Sequence, residues 1–424
     1  MNILRTEKKR LKYIATINDD SLTENTDPEL ELKYIDIGNV NSIGEINEIQ
    51  TYRFADAPSR ARRIVKDGDV IISTVRTYLQ AIAAIKSPPD NLIVSTGFAV
   101  IRSRLDQLDA DYCKYALREP EFLHEVVARS VGISYPAINA LDLGNIPIYI
   151  HLLPEQEAIA HYLDKETAQI DELIKIKKRL LELLDEKRRA LITHAVTRGL
   201  NPDVPMRDSG VEWIGEIPKH WNIVKLKRIT QKIGSGKTPK GGSEIYLTEG
   251  IPLIRSQNVL FIGLVISDLV YITEEIDAEM LSSRVYPDDV LINITGASIG
   301  RCCVVPGHIS HSNVNQHVCI LRPNFRTIKS EYLNTVLASN VGQTQVFMNQ
   351  EGISREGLTF EDIGNFLIPL PPKDEQEKSI QYIKNYSSLL SKLDLVTRNT
   401  IKLLQERRTS LITAAVTGQL KIKE

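Results

Sequence analysis

Two hydrophobic patterns alternate along this chain. Short apolar runs bounded by Gly, Pro, Asn and Asp predict β-strands: DVIIST, NLIVST and FAVIRS early on, DVLINIT and HVCILRP later. They occupy roughly 1–150 and 216–370. After each stretch the period changes to that of a helix. A first helix is predicted from about Glu155 to Val196, with Ile170, Leu173, Leu180, Leu184 and Leu191 at heptad a/d spacing and Lys177 and Lys187 interrupting. A second carries Leu390, Leu393, Leu404 and Leu411 in the same register. Such spacing over several heptads predicts a helix–helix seam. Pro154 and the pair Pro371-Pro372 precede the two helices, and acidic residues follow in each first turn, as a helix N-terminus favours.

The two halves are copies. LITHAVTRGL (191–200) returns as LITAAVTGQL (411–420), an offset of 220 residues. The same offset pairs EQEAIAHYL with EQEKSIQYI, LDLGNIPI with EDIGNFLI, VGIS with EGIS, FAVIR with VCILR, and GDVIIS with DDVLIN. Across 155–200 against 375–420, 16 of 46 positions are identical without a gap. A period this long excludes a solenoid, whose repeats run about 20–50 residues. The pattern predicts two copies of one strand-rich globule, each followed by a long helix.

The expected fold is α+β: two similar mixed α/β globules separated by a long antiparallel two-helix coiled coil, with an internal pseudo-twofold repeat. Boundaries are drawn at 1–152, 153–200, 201–215 (a linker), 216–371 and 372–424. At about 1.5 Å per residue the first helix reaches about 60 Å, too long for the core of one small domain. The alternative is an ordinary hairpin helix folded into each globule. Two similar but unequal globules suit an approximately twofold target such as duplex DNA, whose half-sites lie about 34–36 Å apart or a multiple of it.

Composition narrows the classes. At 424 residues the chain holds two or three domains. It is 42% hydrophobic and 25% charged, with no apolar run near the ~20 residues of a membrane span and no signal-like apolar core in MNILRTEKKRLKYIATI. Cys113, Cys302, Cys303 and Cys319 form no CxxC pair, so reduced thiols and a cytoplasmic location are expected. The net charge of −2 means that any nucleic-acid surface must be a local one.

Catalytic signals are weak. GSGKT (234–238) is not a phosphate loop, because Gln231 stands where a Gly is required and PKGG follows instead of a helix. His308 and His311 lack a flanking Cys or acidic partner, so no metal site is expected. The Pro-Pro pairs are SPPD and LPPK, not the Asn-Pro-Pro-aromatic tetrapeptide of amino-methyltransferases. No catalytic residues are assigned. The basic runs KIKKR (175–179) and EKRRA (186–190) lie on the first helix; they read as a solvated face of mixed charge, with DNA-phosphate contact as the alternative.

The ordered set LxxxDIGNxxIPL, LPP and EQE resembles the target-recognition-domain boundary of type I restriction–modification DNA specificity subunits. So does GVEWIGEIPKHW (210–221) followed by VKLKRIT, GSGKTPKGG and IPLIRSQNV. The resemblance covers nearly the whole chain. One departure is that the first copy lacks a counterpart of EWIGEIPKHW. The resemblance implies a non-catalytic subunit in which the two globules are recognition domains, each reading half of a bipartite asymmetric site. The helices would be the family's conserved regions, setting the gap and docking two methylation subunits. No cofactor is expected in this chain. S-adenosylmethionine belongs to the methylation subunits, and ATP and Mg to a restriction and translocation subunit. Two alternatives are the recognition part of a split restriction–methylation enzyme, and a pseudo-dimeric scaffold that binds proteins only.

Contacts to double-stranded DNA are expected from polar residues on inter-strand loops. The first globule offers Asn39, Asn41, Arg60, Arg62, Arg63, Arg76, Thr77, Ser134 and Tyr135. The second offers Lys237, Thr238, Arg255, Gln257, Asn258, Arg301, Ser354 and Arg355. Arg pairs bidentately with guanine, and Asn or Gln with adenine. The loops GISYP and GISRE occupy equivalent positions and differ where side chains would project.

Overall fold

The computed structural model describes residues 6–239, 241–309, 311–350, 357–420 and 422. The chain divides into two compact units. Unit 1 is Met1–Lys178 with Arg398–Glu424, and unit 2 is Arg179–Thr397. Each therefore contains part of both long helices, α1 (Leu153–Thr197) and α2 (Lys373–Val416).

Unit 1 holds two four-stranded sheets. The first runs in the order Ala15–Ile17, Phe98–Ser103, Val70–Ser73, Ile82–Ala84 and is antiparallel throughout. The second runs Gln50–Arg53, Glu31–Ile35, Leu92–Ser95, Ala61–Ile64, with its central pair parallel. Strand Val70–Ser73 is buried on both faces, which is why its sequence is continuously apolar. Val70 and Ile72 point into a core shared with helices Ala110–Ala116 and Pro120–Ala128, and Ile71 into a core shared with the second sheet.

Unit 2 repeats this plan strand for strand. One sheet runs Thr230–Ser235, Val318–Pro323, Val290–Asn293, Cys302–Val304, and the other Val270–Ile272, Ile251–Ile254, Ser312–Val314, Arg284–Val285. The central pair of the latter, Ile251–Ile254 with Ser312–Val314, is again parallel. Val290 and Ile292 face one core and Leu291 the other, as Val70, Ile72 and Ile71 do.

A buried ion pair is duplicated with the strands. Arg102 donates through Nε and Nη2 to Asp69 at 2.9 and 2.8 Å. Arg322 donates to Asp289 in the same way at 2.8 and 2.8 Å. Each carboxylate, 1% exposed, also accepts the backbone N–H three residues before it, from Lys66 and Tyr286. A buried charge needs such full pairing.

The motif EWIGEIPKHW of the second copy has a structural role. In both units an edge strand pairs with the strand before the long helix: Glu7–Arg10 with Pro147–Ile150, and Asn222–Lys225 with Leu367–Leu370. In unit 2, His220 Nε2 and Trp221 Nε1 both donate to Glu375 in the first turn of α2, at 2.7 and 2.8 Å. Among the described residues, unit 1 has no such pair. Its equivalent Glu155 accepts from the backbone N–H of Leu152 at 3.1 Å instead.

Within each unit the two helices pack antiparallel. In unit 1, Arg408 meets Asp171, and His151, just before α1, donates to the carbonyl of Val416 at the end of α2. In unit 2, Arg188 meets Ser391. The heptad register differs from the sequence reading. Ile170 and Leu390 are buried as expected, and Leu180, Leu184, Leu191, Leu404 and Leu411 are half-buried. Leu173 and Leu393 are instead 46% exposed each, and the buried positions beside them include Thr167, Ile174 and Thr397. The reason is a second apolar stripe on each helix, one residue out of phase with the first. Leu173, Ile176 and Leu183 lie on it in α1, Leu393 and Leu403 in α2, all exposed. Polar side chains in the true seam hid its register.

Candidate nucleic-acid interface

Each globule is fastened to its helix by one buried glutamine. Gln156 Oε1 accepts from the backbone N–H of Asp109 at 2.8 Å, and its Nε2 donates to the carbonyls of Gln107 and His151, each at 2.9 Å. Gln376 makes the same three bonds to Lys329, Thr327 and Pro371, at 2.9, 3.0 and 3.0 Å. Both are 0% exposed. The EQE motif is therefore a joint. Its duplication was visible in the sequence, but its role was not.

On this frame the predicted contact residues fall into three groups. Arg60, Arg76, Ser134, Tyr135, Lys237, Thr238 and Gln257 are exposed. Arg76 lies over the Tyr135 ring at 4.9 Å. Thr238 donates to Gln316, and Gln257 to Asp268. Arg62, Arg63, Arg255 and Arg301 are half-buried. Arg62 stacks over Phe54 at 4.7 Å and Arg255 over Tyr246 at 5.8 Å, which orients each planar guanidinium. Arg63 donates to Ser21 Oγ at 3.3 Å, and burial lowers its pKa.

The remaining candidates shape turns. Asn39 Oδ1 accepts from Asp36 N–H at 2.9 Å, and Asn258 Oδ1 from Arg255 N–H at 2.9 Å, closing matching turns. Asn41 Oδ1 accepts from Ile43 and Glu45. Two assignments need correction as direct contacts. Asn258 is 0% exposed, with Nδ2 donating to the carbonyls of Val265 and Asp268. Thr77 is 4% exposed and bonded to Ser130 Oγ at 2.9 Å. Both sit inside because their short polar side chains satisfy loop backbone or a neighbouring hydroxyl. Ser354 and Arg355 lie outside the described residues.

His311 does have an acidic partner, supplied by tertiary structure. Its Nε2 lies 2.8 Å from Oδ1 of Asp277, 34 positions upstream. Asp277 also accepts from Asn313 Nδ2 at 2.5 Å and from Arg284 Nε at 3.1 Å. Burial pushes the Asp277 carboxyl up, but the bonds from Arg284, His311 and Asn313 outweigh it and bring the pKa to about 2. Asp277, Arg284, His308 and His311 line an open cleft of about 610 Å³. Among the described residues, no three His, Cys, Asp or Glu side chains are placed to hold a metal ion.

GSGKT has a packing explanation. A Cβ on Gly236 would lie 1.5 Å from the carbonyl oxygen of Val314, so only Gly fits there. The basic runs on α1 divide. Arg179 and Arg189 pair with Glu182 and Asp185 on the same helix, whereas Arg188 turns into the seam. All four cysteines are buried and free. Among the described residues, no helix is long and apolar enough to cross a membrane.

Residues 218–403 match the family model of the type I restriction modification DNA specificity domain. That match lies in the second copy and the helix after it, and the chain as a whole is similar to type I restriction–modification specificity subunits. It is 25% identical over 333 residues to the EcoBI specificity subunit of Escherichia coli, covering 76% of this chain and 69% of that protein. It is 21% identical over 362 residues to the putative MjaX specificity subunit of Methanocaldococcus jannaschii, covering 84% and 79%. The fold is shared with a chain solved in work on complex assembly and conformational transition of the type I R-M system, with a TM-score of 0.80, 22% identity, and 99% and 100% of the two chains covered. The HsdS subunit of Thermoanaerobacter tengcongensis gives a TM-score of 0.54 at 21% identity, covering 98% and 97%.

Proposed function

We propose that this chain is a DNA specificity subunit that reads a bipartite, asymmetric site, one half with each unit, and performs no chemistry itself. The observation that carries this reading is the frame repeated in both units. The glutamine joint and the Arg–Asp pair recur with the same partners, while the exposed loop residues differ between copies. Conserving the scaffold while varying the surface is what two readers of different half-sites require.

The long helices would serve two roles. At about 1.5 Å per residue they set how many base pairs separate the half-sites. Their outward apolar stripe, with Leu173 and Leu393 at equivalent positions, would dock two copies of a methylation subunit. Quasi-equivalent partners need quasi-equivalent surfaces. In this reading S-adenosylmethionine is bound by the methylation subunits, and ATP and Mg by a restriction and translocation subunit. Function in the cytoplasm, beside the DNA, follows.

Footprinting the chain together with its methylation subunits tests the reading. Two short protected clusters on either side of an unread gap are expected. Methyl transfer by the chain alone would favour a split enzyme, and no DNA binding in the assembled complex would favour a protein-only scaffold.

A further inference from the structure

One loop in unit 1 holds side chains in a conformation that its copy in unit 2 reserves for glycine. Residues 74–80 and 131–138 are laced together by backbone bonds. Ile138 N–H donates to the Thr74 carbonyl at 2.9 Å and Arg76 N–H to the Pro136 carbonyl at 2.8 Å. Val75 and Val131 each form a bridge with Ala137. The buried Thr77 fixes the turn through Ser130, and the turn closes with Leu79 N–H to Arg76 and Gln80 N–H to Thr77, at 2.8 and 3.2 Å.

Unit 2 builds the same platform 220 residues later. Leu358 N–H donates to the Ile294 carbonyl at 2.9 Å, and Thr295 bridges Gly357. There the two left-handed positions are Gly296 and Gly300, at φ 73° and 82°. Their counterparts in unit 1 are Arg76 and Gln80, at φ 53° and 51°. A side chain with a Cβ is disfavoured in that region, and glycine is not. Gly300 is also hemmed in by Gln343 and Val346, but Gly296 has nothing within 4 Å of where a Cβ would stand. The fold of this turn is therefore satisfied by glycine, and the side chains in unit 1 are held against backbone preference.

Both are exposed, and Arg76 rests on the ring of the exposed Tyr135, which fixes the plane of its guanidinium. Strain that persists around outward-pointing polar groups marks a functional position. We propose that Arg76 and Gln80 are the base-reading side chains of unit 1, Arg76 addressing a guanine edge and Gln80 an adenine edge in the major groove, with Tyr135 as the positioning residue for Arg76. Unit 2, with glycine at both places, reads its half-site from other loop positions. This rests on the DNA-specificity reading above and names the residues that would carry it in one half.

The test compares wild type with Arg76→Gly and Gln80→Gly, each assembled with the methylation subunits. DNA libraries randomised in one half-site at a time are scored by binding and by methylation. Glycine is the residue that the equivalent turn already uses, so both variants keep the fold, which melting of the purified complex verifies. The expected result is a loss of about 10- to 100-fold in preference at one base pair of a single half-site, a different base pair for each variant, with the other half-site read as before. Unchanged preference in both half-sites would overturn the inference, as would a uniform loss of affinity across all sequences, which marks a phosphate contact. A wild-type complex showing no sequence preference at all would remove the DNA-specificity reading, and this inference with it.

Discussion

Arg408 on α2 donates through Nε to both carboxylate oxygens of Asp171 on α1, at 2.9 and 3.1 Å. The repeat-equivalent pair joins Arg188 to Ser391, Nη2 to Oγ at 2.9 Å. Arg188 lies 220 positions before Arg408, and Ser391 lies 220 positions after Asp171. One helix–helix contact is thus written twice, charged in unit 1 and neutral in unit 2. In unit 1 a third charged group, Arg118, interacts with this pair. Burial, and then Arg408, bring its guanidinium down to about 10, while Asp171 acts in the opposite direction.

Asp171→Ala should therefore destabilise unit 1 by about 1–3 kcal/mol, the range for leaving a partly buried charge without its partner. Ser391→Asp should change stability by less than about 1 kcal/mol, as an exposed ion pair does. Denaturation followed by hydrogen exchange resolves the two units. Equal effects from both substitutions would show that the charge in unit 1 does nothing special.

Gln156→Leu should cost about 2–4 kcal/mol, because a backbone N–H and two carbonyls are left unpaired in a dry site. Gln376→Leu should do the same in unit 2. Loss of exchange protection confined to residues 153–160 in the first variant and 373–380 in the second is the expected signature. Protection unchanged in both would remove the joint.

Acid should loosen unit 2 through Asp277. Its folded pKa of about 2 lies below the ordinary 3.8, so its contribution is present above about 4 and is lost as the pH falls from there towards 2. Asp277→Asn should flatten that limb of a stability–pH curve. A variant with the same acid slope as wild type would contradict this.

Leu173→Gln and Leu393→Gln replace exposed side chains and should leave the melting of the isolated chain within about 0.5 kcal/mol of wild type. Association with the methylation subunits should weaken at least tenfold, read by sedimentation or calorimetry. Unaltered association would place the docking surface elsewhere.

Deleting Lys175–Leu181 from α1 together with Leu395–Ile401 from α2 removes one heptad from each helix, keeps the seam in phase and leaves Leu173 and Leu393 in place. The recognised site should lose base pairs from its gap and keep both half-site sequences, which methylome sequencing would show. Altered half-site preference would end the ruler interpretation.

The duplication, the strand-rich globules and the two long helices were legible in the sequence because an offset of 220 residues and a change of hydrophobic period are linear signals. The strand DVIIS needed no structure to be placed in a core. The register of the seam was not legible. Two apolar stripes one residue apart satisfy the same spacing rule, and only packing buries Ile174 while leaving Leu173 at 46% exposure.

The candidate contacts divide by the same logic. Residue type alone put Arg76 and Asn258 on one footing, but the turn exposes the first and closes around the second. Gln80 was overlooked because nothing in the letters announces a left-handed backbone. His311 and Asp277 stand 34 positions apart, too far for any local pattern to join them. Local periodicity and repetition are written along the chain. Which of two similar side chains is buried, paired or strained depends on atoms brought in from distant positions, and that the fold alone decides.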